Sequence, residues 1–139
     1  MTTSLEFINK LRNSGLRPTK QRIKICEVLF NKETTFHFTI NDLVKIIEKE
    51  ANEKISLATV YNTVHAFEKK GYLKEIQIDS SQSYFDTNVN DHHHFYDTAE
   101  KKLIDLEQDD VGPITIQKTI PGKKIKSIEV LVKLDTDNQ

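Results

Sequence analysis

The chain has a single cysteine, Cys26, in 139 residues. One thiol cannot close an internal disulfide or supply a zinc site built from paired cysteines, so any metal must be held mainly by nitrogen and oxygen. Long apolar runs are also lacking. No stretch approaches the roughly 20 residues that span a bilayer, and Met1-Thr2-Thr3-Ser4 leads into no apolar leader core. These absences lead to the expectation of a cytoplasmic protein with no membrane partner. The length allows one ordinary domain or two very small ones.

Net charge is scarce too, at −1, but that value hides an asymmetry. Residues 1–75 carry 13 Lys and Arg against 9 Asp and Glu, whereas residues 76–139 carry 7 against 12. A positive half suits nucleic acid phosphates and an acidic half suits cations.

The chemistry is concentrated between Phe85 and Phe95, where Asp86, Asp91 and the run His92-His93-His94 fall within nine positions. If His92 to Tyr96 is extended, His92 and His94 share a face and His93 points away. Neutral imidazoles joined by carboxylates suit zinc, iron or manganese, and haem is a further ligand for such a run. The ordinary alternative is a solvated His-rich loop. An expression tag would sit at a terminus, and this run is internal.

Four helices precede this stretch in the reading. The first is capped by Ser4, with apolar residues at 5, 8 and 11 and Phe7 alongside, and Gly15 ends it. Thr19 caps a second, on whose apolar stripe Cys26 reads as a buried structural thiol. Thr39 with Asp42 starts a third, burying Leu43, Val44, Ile46 and Ile47. The fourth runs from its cap Ser56 to Gly71 with a stripe at Leu57, Val60, Val64 and Phe67. Its other face offers Ala58, Thr59, Tyr61, Asn62 and His65 rather than Glu and Lys. Such groups can enter a major groove, Asn matching adenine and Thr or Tyr matching thymine.

A hairpin from Tyr72 to Phe85 turns at Asp79-Ser80-Ser81, so helices followed by a wing predict a winged helix-turn-helix. Beyond the histidines, Lys102–Leu106, Ile114–Ile116 and Ile125–Leu134 read as strands. The last of these needs cover, which a symmetric dimer sheet would provide. The expected fold class is therefore α+β: a winged-helix DNA-binding domain over residues 1–87, then a small α/β or mainly β dimerisation and sensing domain over 88–139.

Gly15-Leu16-Arg17-Pro18-Thr19 with Arg22, Leu57-Ala58-Thr59-Val60-Tyr61, Tyr84-Phe85-Asp86 and the histidine cluster together resemble the ferric uptake regulator family. The resemblance runs from about Leu11 to Leu134. Within the family, Val60-Tyr61-Asn62-Thr63, Phe85-Asp86-Thr87-Asn88 and Asp91-His92-His93-His94-Phe95 look most like the iron response regulator branch. The resemblance implies a dimeric, metal- or haem-responsive regulator of iron and haem genes that binds a double-stranded DNA operator. It implies a regulatory site for a divalent ion (Fe2+, Mn2+ or Zn2+) on His37, Asp86, His92, His94 and Asp105, with Asp91 and His93 as a second metal or haem site. DNA contacts would fall on Arg17, Thr19, Arg22, Ser56, Ala58, Thr59, Tyr61 and Asn62, with Tyr61 on a base and Arg17 in the minor groove.

The chain also departs from its relatives. Asp97 and Glu100 stand where many of them carry a first cysteine pair, and a second pair is missing, so their structural zinc site is absent. Asn62 replaces a common arginine, and Arg17 precedes Pro18 where some relatives have a haem-binding Cys-Pro. Two other response types, to peroxide or to manganese or zinc, belong to the same family. Outside it, the alternatives are a small metal-dependent hydrolase with Asp91 or Asp105 as base, or a metal or haem buffer.

Overall fold

The computed structural model describes residues 4–138. Met1-Thr2-Thr3, on which the reading of the leader rests, and Gln139 lie outside the described residues. The chain forms two compact units, the first ending at Val89 and the second beginning at Asn90.

The first unit runs α1 (Ser4–Asn13), α2 (Lys20–Phe30), β1 (His37–Phe38), α3 (Ile40–Ala51), α4 (Leu57–Lys70), β2 (Lys74–Gln77) and β3 (Ser83–Asp86). Helix starts follow the capping residues. Thr19 accepts from Arg22 N, Thr39 and Asp42 form a reciprocal capping box, and Ser56 accepts from Thr59 N. Ser4 is the exception, lying inside α1 rather than capping it. Gly71 closes α4 at φ +88, its N–H reaching back to the carbonyls of Phe67 and Glu68.

All four helices contribute to one core that includes Phe7, Ile25, Leu43, Val60 and Phe67, and Phe38 and Phe85 join it from the strands. Cys26 lies fully buried there, and burial pushes its thiol up to about 12, with Lys10 pulling the other way. On α3, Leu43 and Ile47 are buried, while Val44 and Ile46 are half-buried at the core's edge.

The expected stripe on α4 needs one correction. Leu57 is 55% exposed, and Thr63 is buried in addition to Val60, Val64 and Phe67. Leu57 is the first helical residue and lines the open cleft beside the wing. Thr63 tolerates burial because its hydroxyl donates to the Thr59 carbonyl at 2.7 Å.

β1, β3 and β2 form an antiparallel sheet in that order, with β2 and β3 as the wing. Asp79 closes the wing turn by accepting from the Ser81 amide and hydroxyl. The unit is a winged helix.

The second unit is mainly β: β4 (His93–Asp97), β5 (Lys102–Leu106) and β6 (Leu131–Leu134), in the order β5-β4-β6. β4 pairs antiparallel with β5 and parallel with β6. A 3-10 turn at Gln108–Asp110 is its only helical element among the described residues. Two strand expectations fail here. Ile114-Thr115-Ile116 has no ladder among the described residues, and only the last four residues of Ile125–Leu134 pair. β-branched composition favours a strand, but a strand forms only where the chain reaches a sheet edge, and among the described residues Ile114-Thr115-Ile116 pairs with neither β5 nor β6. No described helix is long and apolar enough to cross a membrane.

Candidate metal centre and nucleic-acid interface

β4 begins at His93, so His92 lies one residue before the ladder. It still joins His94. The two rings lie 4.3 Å apart, and both face the carboxylate of Asp105, the register partner of His94 on β5. Asp105 Oδ1 is 3.7 Å from His92 Nε2 and 3.0 Å from His94 Nε2. His94 is only 4% exposed, whereas Asp105 is open to solvent. Two nitrogens and one carboxylate oxygen within 4.8 Å of one another suit a borderline divalent cation.

Hydrogen bonds set which ring nitrogen can ligate. His92 Nδ1 lies 2.7 Å from the Asn90 carbonyl, which can only accept, so Nδ1 carries the proton and Nε2 keeps its lone pair toward Asp105. This second contact orients a ligating imidazole. His93 is arranged in the opposite way. Its Nδ1 accepts from the Val130 amide at 2.9 Å, so in the neutral ring the proton sits on Nε2. His93 therefore turns to the other side of the sheet and presents a donor, and among the described residues no close donor cluster includes it or Asp91.

In the first unit His37 and Asp86 are cross-strand partners of β1 and β3. Asp86 is 1% exposed and accepts from the Asn88 amide at 2.8 Å, while His37 packs edge-on to Tyr84 at 5.8 Å. In the second unit, Asp97 Oδ1 accepts from the amides of Ala99 and Glu100, so the position of the missing first cysteine closes a turn instead.

The groove-like residues of α4 share an accessible face. Ala58, Tyr61 and Asn62 are exposed and Thr59 is half-buried, while Ser56 is engaged at the cap, its hydroxyl donating to Thr59 Oγ1. Arg17, Thr19 and Arg22 line a recess with Thr59, so the start of α2 and the start of α4 form one surface. Arg22 Nη1 donates to the Arg17 carbonyl at 3.0 Å, which holds the preceding loop. Between α4 and the wing lies a cleft of about 610 Å3 lined by Tyr61, His65, Gln77 and the wing-turn serines. None of the wing residues is among the DNA contacts expected from the sequence. The Asp79-Ser80-Ser81 turn was the available signal, since a wing tip sits beside the helix that follows the turn of the fold.

The sequence profile of the ferric uptake regulator family matches residues 13–134. The chain belongs to this family. A peroxide-responsive repressor (PerR) of Staphylococcus aureus strain Mu50 is 31% identical over 109 residues, spanning 78% of this chain and 72% of that protein. Among solved structures, the ferric uptake regulator of Pseudomonas aeruginosa with manganese aligns at TM-score 0.67 and 22% identity, covering 95% of this chain and 98% of that one. The Vibrio cholerae ferric uptake regulator aligns at TM-score 0.68 and 20% identity, covering 93% and 98%. At these identities the structural likeness speaks to the fold of this family member.

Proposed function

We propose that this family member is a cytoplasmic transcriptional regulator that binds double-stranded operator DNA as a homodimer and responds to a divalent ion. Iron, manganese or zinc would be held by His37, Asp86, His92, His94 and Asp105. The observation that carries the reading is the oriented pair of imidazoles on the Asp105 carboxylate, which follows the wing of a winged helix directly in the chain. His37 and Asp86 enter the set through the family resemblance and their own cross-strand pairing. When bound, the ion supplies a fixed link among these side chains. Such a ligand shifts the orientation of the reading heads only through its different affinity for each arrangement. The Vibrio cholerae relative is described as having rearranged DNA-binding domains, in keeping with such a lever. A metal hydrolase would leave the amide and aromatic face of α4 without a role.

The histidines separate in a direct test. Manganese calorimetry on His92→Ala and His94→Ala should show affinity reduced by at least about 10- to 100-fold, the loss typical of removing even a supporting partner. His93→Ala should keep the ion. Loss of the ion in His93→Ala with retention in His92→Ala would overturn the assignment.

For the stimulus we propose the iron response regulator branch, supported by the Asp91-His92-His93-His94-Phe95 run and the missing cysteine pairs. The similarity to the peroxide-responsive repressor favours a second reading, oxidation of the iron-loaded protein. Gel shifts on iron-loaded protein before and after hydrogen peroxide, and on protein titrated with haem, distinguish the two. A haem held by His93 and Asp91 would require His93 to release the Val130 amide, because ligation through either nitrogen of the neutral ring takes away the Nδ1 lone pair that accepts from it.

A further inference from the structure

We propose that His65 is a positioning residue of the recognition helix: its imidazole holds the ring of Tyr61 in the orientation that reads a base edge. The inference rests on the DNA-binding reading above and deepens it. His65 and Tyr61 are one turn apart on α4, where i,i+4 side chains meet. Their ring centroids are 4.1 Å apart at 44°. The imidazole also meets Phe85 edge-on, at 5.3 Å and 80°. Phe85 is only 2% exposed and stacks on Phe38, which is also buried. An unbroken row of rings thus joins the core to Tyr61, itself 51% exposed at the mouth of the cleft beside the wing.

An exposed tyrosine would sample several rotamers in the free protein and lose that freedom on binding. Packing against the half-buried His65 ring, which itself meets the core residue Phe85, removes part of the loss in advance, so the interaction contributes to affinity without touching DNA. His65 suits this role because one flat, rigid ring contacts both Tyr61 and Phe85. A lysine can lie over two rings, as Lys10 does over Phe30 and Tyr72, but its flexible stem would hold the Tyr61 ring less firmly than a flat ring does.

The test uses the full chain, with or without Mn2+ according to which form binds DNA. The probes are a duplex selected by the wild-type protein from a randomised pool and a scrambled duplex of equal composition. His65→Ala should weaken binding to the selected duplex on the order of tenfold, within the range of coupling between touching residues, and leave the scrambled duplex unchanged. His65→Phe, which keeps a ring, should restore most of the loss. In a Tyr61→Ala background, His65→Ala should add nothing further.

Equal losses on both duplexes, or a loss that persists in the Tyr61→Ala background, would overturn the proposal; the second result would make His65 a DNA contact in its own right. If Tyr61→Ala loses discrimination and His65→Ala does not, the proposal alone falls. If the wild-type protein selects no duplex, or Tyr61→Ala binds the selected duplex as wild type does, the recognition-helix reading falls and takes the proposal with it.

Discussion

His92 and His93 are neighbours that differ in the position of one proton. The Asn90 carbonyl fixes it on Nδ1 of His92, and the Val130 amide fixes it on Nε2 of His93, so one ring offers a lone pair where the other offers a donor. Alternation along a strand makes the opposed faces of His93 and His94 legible in sequence. The tautomers were not legible, because they depend on the Asn90 carbonyl and on the Val130 amide 37 residues away, just before β6. Nor was the start of β4 at His93, since a loop residue can reach a strand residue's face without sharing its ladder. Cys26 was easier to read, lying on an apolar stripe with no second cysteine. With its thiol pushed up to about 12, it should stay unreactive toward a thiol-labelling disulfide at pH 8 in the native state and react fully in denaturant. The sign follows from the same shift. Stability from the protonated thiol is present below the ordinary value of 9.0 and is lost as pH rises from there toward about 12. Rapid native-state labelling would show that α2 opens or that the thiol is not in the core.

At the scale of elements, caps were the most legible feature, because Thr19, Thr39 and Ser56 act through bonds only three residues long. Gly71 is equally local. An added Cβ there meets no atom within 4 Å, so any cost of Gly71→Ala comes from the backbone at φ +88 alone. Gly112 also has open space around it and lacks a positive φ. Urea denaturation should therefore find Gly71→Ala destabilised by about 1 kcal/mol and Gly112→Ala near neutral. Equal effects would mean that α4 does not end in the left-handed turn. Stripes were less legible than caps. A period of 3.6 assigned Leu57 to the core, yet a first-turn residue beside an open cleft has nothing above it to pack against. Strand propensity misled in the same way at Ile114-Thr115-Ile116, where the residues are suitable but are paired to no sheet edge among the described residues.

The two units are unequally provided with core. The first buries a contiguous apolar cluster, whereas among its described residues the second buries only Tyr96 and Leu103 as apolar side chains. So little burial is small against the entropy of ordering a 50-residue segment, and the apolar surface left over shows where more can be gained. Phe95 is paired in register with Ile104 on β5 and with Val132 on β6, so the three share one face of the sheet. Ile104 and Val132 are each 39% exposed. A second copy laid against this face would cover them, consistent with the proposed homodimer and with the cover expected for Ile125–Leu134. Leu131 falls on the opposite face, with His94, so a charge there would disturb the metal centre as well. Val132→Glu is the cleaner probe. Light scattering should find the wild-type protein at about twice its 16.1 kDa chain mass and Val132→Glu at the single-chain mass, with Ile104→Glu behaving alike because both oppose Phe95. Manganese binding should survive in both variants, since His92, His94 and Asp105 lie within one chain. If both variants remain dimeric, the interface lies elsewhere, and the exposed isoleucines at 114, 116, 120 and 125 become the surface to test next.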